Sequence, residues 1–203
     1  MKKRFVCTLL VMLLLSGCSQ RAETTAPATD AATDTTVSGK QMLEPATVRP
    51  ERSEIRITVQ SKTEIRPVEL YVGQGYSIYI TEDGWHLDRE LEDGGVLEDI
   101  WESALHGDDA ELKVGIYPNV TAVAAKNRFV EENDDYLFES QLTGDWGDPM
   151  RGRDEEDKEM LHFMVLEHSG NAYVVSWHYA DRVADLYGAQ LRQMADTFLL
   201  TEE

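Results

Sequence analysis

Over much of this chain apolar residues alternate with polar ones, the pattern of strands that bury one face. Ile55, Ile57 and Val59 stand between Glu54, Arg56, Thr58 and Gln60, and Val68, Leu70 and Val72 share a face after Pro67, so a hairpin is predicted. Gly73-Gln74-Gly75 turns the chain into Tyr76, Ile78 and Ile80. Asp83-Gly84 turns it again, and a run starting at Trp85 to Leu87 is closed by Asp93-Gly94-Gly95. Leu112, Val114 and Ile116 alternate next. Pro118-Asn119 stops that strand and opens a helix, with Asn119 or Thr121 as its cap and Ala122, Ala125 and Phe129 beside Val123 and Val130 on the inner face. A short strand is expected over Tyr136 to Leu142, then a loop rich in Gly, Asp and Glu from Thr143 to Lys158. Two long strands follow, Met160 to His168 and Ala172 to Tyr179, joined as a hairpin at Ser169-Gly170-Asn171.

The spacing then changes. Val183, Tyr187, Leu191, Met194 and Phe198 step by four, four, three and four, which puts all five on one stripe of a helix. Such a stripe needs a surface to cover, and the strands supply it. Strands, a helix, more strands and a closing helix predict an α+β fold, an antiparallel-rich sheet with two main helices packed on it.

The first fifty residues follow neither period. Lys2, Lys3 and Arg4 precede an apolar run from Phe5 to Leu15 broken only by Thr8, and Leu15-Ser16-Gly17-Cys18 follows. A basic end, an apolar middle and small residues at the cut are the layout of a secretory signal. Eleven helical residues rise only about 16 Å, roughly half the ~30 Å hydrocarbon thickness, so the run is a poor membrane span. Residues 22–36 contain six Thr and five Ala with Pro27, Asp30 and Asp34, a composition without an apolar face that reads as a flexible tether. As a flexible coil the stretch from Ser19 to Arg52 spans roughly 30–35 Å on average. A glycosylated stalk is the alternative. The expected organisation is a signal peptide over 1–17, a cysteine and tether over 18–52, and a single acidic domain over 53–203, long enough to bury one core.

Leu15-Ser16-Gly17-Cys18 resembles the lipobox of bacterial lipoproteins. The resemblance implies cleavage between Gly17 and Cys18 and acylation of Cys18, palmitate included, with the mature protein held to the extracytoplasmic side of a membrane. Two or three acyl chains make a lasting anchor where one is marginal. Ser19 after the cysteine permits outer-membrane delivery in a cell that has two membranes. Cys7 leaves with the signal and Cys18 is blocked by lipid, so no thiol remains for a disulfide, a thiolate metal site or a cysteine nucleophile.

Charge narrows the partners. The whole chain carries −19, and removing residues 1–17 takes away three positive charges and no negative one, which leaves −22. A field of that sign repels nucleic acid and anionic lipid heads. The expected partners are the bilayer, through acylated Cys18, and an unidentified envelope protein or ligand.

Candidate chemistry is sparse. His162, His168 and His178 fall on one predicted hairpin, but six strand residues span about 20 Å, far beyond two ligands of one ion, so at most His178 could join one of the others. Asp145, Asp148, Asp154, Glu155, Glu156 and Asp157 have the oxygen density of a calcium loop without EF-hand spacing. Ser176 and His178 could be drawn into a triad, yet no nucleophile elbow, phosphate loop or dinucleotide fingerprint occurs. No cofactor and no metal is expected. Aromatic residues are the better lead: Tyr71, Tyr79, Trp101 and Trp146 are the candidates for a partner-binding patch, while Tyr173, Val175, Trp177 and Tyr179 share a strand face suited to core packing.

Gly75-Tyr76-Ser77-Ile78-Tyr79-Ile80 leading to Trp85, with a terminal helix ending Met194-Ala195-Asp196-Thr197-Phe198, resembles the PsbP-like domains of some bacterial lipoproteins. The resemblance runs from about Gly75 to Leu200, with the early hairpin as an addition. It implies a non-enzymatic accessory or interaction module. The reading taken forward is a membrane-anchored lipoprotein presenting a non-catalytic binding domain. The alternative is an extracytoplasmic enzyme or metal-binding protein using the 145–157 loop and the histidines.

Overall fold

The computed structural model describes residues 48–59, 62–92, 95–139 and 150–201, all within one compact unit, Ser38–Glu203. The predicted signal, Cys18, the predicted tether up to residue 47 and the first part of the predicted acidic loop, up to residue 149, lie outside these residues. Among the described residues eleven strands and two α-helices follow in the order β1 (Arg52–Val59), β2 (Lys62–Gly73), β3 (Tyr76–Thr81), β4 (Trp85–Leu91), β5 (Leu97–Ser103), β6 (Gly107–Tyr117), α1 (Ala122–Glu132), β7 (Leu137–Phe138), β8 (Met150–Asp154), β9 (Glu159–His168), β10 (Asn171–Ala180), α2 (Ala184–Ala195) and β11 (Leu199–Leu200). The class is α+β. There are two antiparallel sheets, β1-β2-β3-β11 and β4-β5-β6-β10-β9-β8-β7.

The chain leaves the small sheet for the large one at Asp83-Gly84, where Gly84 takes a φ of +90°. The β1–β2 hairpin forms as its alternation predicts, with Ile55, Ile57 and Val68 buried. Ser169 and Gly170, both at positive φ, make the two-residue β9–β10 turn, a geometry whose twist suits a tight hairpin; Asn171 already belongs to the strand.

The large sheet separates two apolar layers. On one face Leu112, Val114 and Ile116 of β6 join Tyr173, Val175 and Trp177 of β10 in a core that also takes in Tyr76 and Ile78 of the small sheet and Tyr187, Leu191 and Met194 of α2. On the other face Leu161, Phe163 and Val174 lie under Ala122, Ala125 and Phe129 of α1. The helix α2 touches β1 and β3 of the small sheet and β6 and β10 of the large one.

Several boundaries differ from the sequence-based expectation. The closing helix stops at Ala195, with Val183 in a preceding 3₁₀ turn and Phe198 beyond its end, where the Phe198 ring stacks on Tyr76 at 5.3 Å. Thr197 ends the helix from outside: its hydroxyl donates to the Met194 carbonyl at 2.6 Å and accepts from the Tyr79 N–H at 2.9 Å. Thr121 is the cap of α1, accepting from Ala124 N–H, whereas Asn119 sits at φ +56° and its N–H donates to Asn171. Val123, expected inside, is 53% exposed, whereas Ala122, Ala125 and Phe129 turn inward and Val130 packs partly buried against the same cluster. Two further strands, β5 and β8, occupy stretches without clean alternation. The folded region also begins earlier than residue 53: Arg49 donates to Ser77 and lies 4.2 Å from the Tyr79 ring centre, and the Tyr79 hydroxyl donates to the Pro50 carbonyl.

Candidate functional site

A cavity of about 540 Å³ lies on the α1 face of the large sheet. Sheet register builds its floor. Lys113 of β6 pairs with Ser176 of β10, and Glu111 pairs with His178, so these four side chains rise on one face. Glu98 of β5 pairs with Gly115, which lacks a side chain; a Cβ there would press on the Tyr117 ring at 3.1 Å and sit 3.6 Å from Glu98. The last turns of α1 bring Arg128, Phe129 and Glu132 to one wall, and Tyr136, Glu159 and Leu161 form another.

Charge in the cleft is organised around Lys113. Its ammonium lies 3.2 Å from Glu98 and 3.7 Å from Glu111. Burial alone pulls the Lys113 ammonium down, but Glu111 and Glu98 more than offset it and hold it above the ordinary lysine range. Burial pushes the Glu98 carboxyl up, against the pull of Lys113. The His178 Nε2 donates to the Asp108 carbonyl at 2.5 Å, which leaves Nδ1 3.8 Å from Glu111. The Tyr136 hydroxyl donates to Glu159 at 2.8 Å, and burial holds both the Tyr117 and Tyr136 hydroxyls well above their usual range. Among the described residues no buried side-chain nitrogen or oxygen lacks a hydrogen-bond partner.

The residues nominated from sequence fare unevenly. Tyr79 and Trp101 are 7% and 3% exposed, so the structure corrects their assignment to a partner-facing patch: both rings are spent on the core. Tyr71 is half-buried, edge-on to Trp101 at 5.0 Å, with its hydroxyl accepting from Arg89. Trp146, Asp145 and Asp148 lie outside the described residues, as do Gly17 and Cys18. Asp154 is not a loop carboxylate open to a cation. It ends β8, is 8% exposed, and accepts from the Glu156 and Asp157 N–H groups at 2.7 and 3.1 Å, closing the turn into β9. His162 pairs with Trp177 while His178 pairs with Leu161, so the two imidazoles project from opposite faces of the sheet and cannot join on one ion. Neither ring nitrogen of His178 engages Ser176, and the hydrogen bond a Ser–His nucleophile needs is not made.

His162 stacks on Trp177 with an interplanar angle of 4° and on Tyr179 at 5.8 Å. Burial, followed by Arg151 and Arg192, lowers its pKa from 6.5 to about 4. The unfolded chain therefore binds this proton more readily, and stability drains away as pH falls from about 6.5 towards 4. After allowing for solvent reaching the ring, the loss due to this group is about 2 kcal/mol. Urea unfolding at pH 7 and pH 4.5 is expected to show that much less pH dependence for His162→Phe, which keeps a ring on Trp177. Equal losses in the two proteins would show that His162 protonation does not limit acid stability.

The cleft residues Glu98, Glu111 and Lys113 were missed because charge at alternate strand positions marks a solvent-facing side and gives no sign of what partly covers it. The one local signal is that Glu111 and Lys113 flank Leu112, two opposite charges held on the same side of a strand.

No protein-family model matches the chain, and no curated protein matches it. Among solved structures it is similar to the solution structure of a cyanobacterial PsbP (CyanoP) from Synechocystis sp. PCC 6803, with 14% identity over 66% of this chain and 92% of that one and a TM-score of 0.47. It is also similar to a protein from Bacteroides thetaiotaomicron VPI-5482, with 12% identity over 66% of this chain and 48% of that one and a TM-score of 0.39.

Proposed function

We propose that this chain is a lipoprotein anchored through Cys18 on the extracytoplasmic side of a membrane, whose folded domain is a binding module that receives its ligand or partner in the cleft on the α1 face. One observation carries the binding reading. Several polar groups of the cleft are held by partners within the protein, Lys113 by Glu98 and Glu111, His178 by the Asp108 carbonyl and Tyr136 by Glu159. A lining held in this way is preorganised to recognise a shape and a charge pattern, whereas a reacting site needs a nucleophile set against its base. Anchoring rests on the basic, apolar and small-residue layout that ends at Cys18.

Replacing Cys18 with serine removes the acceptor sulfur. The variant is expected to remain an uncleaved precursor or to leave the membrane fraction, read by fractionation, immunoblotting and intact mass. A variant processed and fractionated like the wild type would end the lipoprotein reading.

A further inference from the structure

We infer that the cleft takes a cation carried on an apolar stem, a guanidinium or ammonium head of the kind found on a basic side chain or a free polyamine. This rests on the cleft being the binding site and adds the chemistry of what enters it. Five carboxylates line it, those of Glu92, Glu98, Glu111, Glu132 and Glu159, against the two cations Lys113 and Arg128. Lys113 is already flanked by two carboxylates, so an entering anion would have to displace one of them from a partly buried ammonium. An entering cation can bond to carboxylates that each accept more than one donor, without breaking the contacts they already make. The walls suit the stem and the head alike, because Val96, Phe129 and Leu161 give apolar surface and Tyr117 and Tyr136 give ring faces.

The protein shows the same chemistry within its own chain. The Arg128 guanidinium lies 5.3 Å from the centre of the Tyr117 ring while its Nε donates to Glu132 at 2.6 Å, a cation seated between a ring and a carboxylate at the cleft wall. Across the cleft the Tyr136 hydroxyl donates to Glu159 at 2.8 Å, which sets a second carboxylate at the edge of a second aromatic side chain. The net charge of the whole chain, −19, draws cations towards any such opening.

Calorimetric titration of the full-length protein in non-ionic detergent separates the outcomes. The probes are an acetylated, amidated Ala-Arg-Ala peptide, spermidine, the neutral citrulline counterpart of the peptide, and a Glu-containing anionic counterpart. The arginine peptide or spermidine is expected to bind and the citrulline peptide not to. Binding should weaken when salt is raised from roughly 50 to 500 mM, and roughly tenfold in Glu132→Gln/Glu159→Gln, with the melting temperature little changed. Binding of the peptide alone identifies a basic side chain as the source, binding of spermidine alone a free polyamine, and both a head recognised without its backbone. Equal binding of the neutral peptide, silence from both cations, or cation binding untouched by the double variant would overturn the inference. Should the anionic peptide bind instead, and bind more tightly in the double variant, the cleft remains the binding site and only the charge of its ligand is wrong.

Discussion

Leu191→Ala is expected to lower the melting temperature by on the order of 10 °C. Leu191 is 0% exposed and sits on α2, where the helix meets β1 and β3 of one sheet and β6 and β10 of the other. Truncating a fully buried leucine removes its transfer free energy and leaves a cavity, about 2–5 kcal/mol against a total stability of roughly 5–15. Relaxation is limited because Met194 and Ala195 beside it are also fully buried. Arg192→Ala is the matched control. That side chain is about half exposed and is held by an ion pair to Asp196 one turn on, at 2.7 Å, worth less than about 1 kcal/mol. Calorimetry on the two variants checks the contrast. A Leu191→Ala protein that melts with the wild type would mean that α2 is not seated between the sheets as described.

The second large effect belongs to Asp99. Its carboxylate, 0% exposed, accepts from the Tyr76 hydroxyl at 2.5 Å and from the Arg89 Nε at 2.6 Å, and Arg89 donates in turn to the Tyr71 hydroxyl at 2.6 Å. Asp99 and Arg89 come from the large sheet and Tyr71 and Tyr76 from the small one, so this chain of polar contacts pins the sheets together where the apolar core is interrupted. Burial, followed by Asp99, holds the Tyr76 hydroxyl far above the usual tyrosine range, so it stays a donor. Asp99→Ala strands that hydroxyl in the core and removes the counter-ion of Arg89. Breaking a buried pair costs about 3–5 kcal/mol, and the half-exposed Arg89 can recover water, so a loss of about 3 kcal/mol is expected. Tyr76→Phe alone leaves one carboxylate oxygen without its donor, at about 1–3 kcal/mol. Because the two groups serve each other, the double variant should lose clearly less than the sum of the single losses. Strict additivity in urea unfolding would show that the contact is not coupled.

That network also marks how far sequence reading reaches. Local chemistry determined the elements whose instructions are carried by neighbours: the Ile55 and Ile57 alternation answered by Val68, the Thr121 cap of α1, the Ser169-Gly170 turn, and the stripe of Tyr187, Leu191 and Met194. Each is set by steric or apolar preferences acting over a few residues, and those preferences keep their meaning in any fold. The charge of the chain belongs to the same class.

What only the tertiary structure decided is whatever depends on a partner distant in the chain. Strand β5 was invisible because Asp99 and Ser103 stand on its inner face, and they belong there only once Tyr76 and Arg89, or Tyr187 in the case of Ser103, arrive to satisfy them. Strand β8 reads Met-Arg-Gly-Arg-Asp, without an apolar face; Gly152 is where a Cβ would come within 2.7 Å of the Phe138 ring, a constraint that exists only after β7 has paired with it. The meeting of Glu98, Glu111 and Lys113 in one cleft follows from register across β5, β6 and β10, and the burial of Tyr79 and Trp101 from the packing of the two sheets and α2 around one core. Alternation tells which face of a strand is polar. It carries no information about which helix will cover that face or where the cover stops, and the cleft lies where α1 stops.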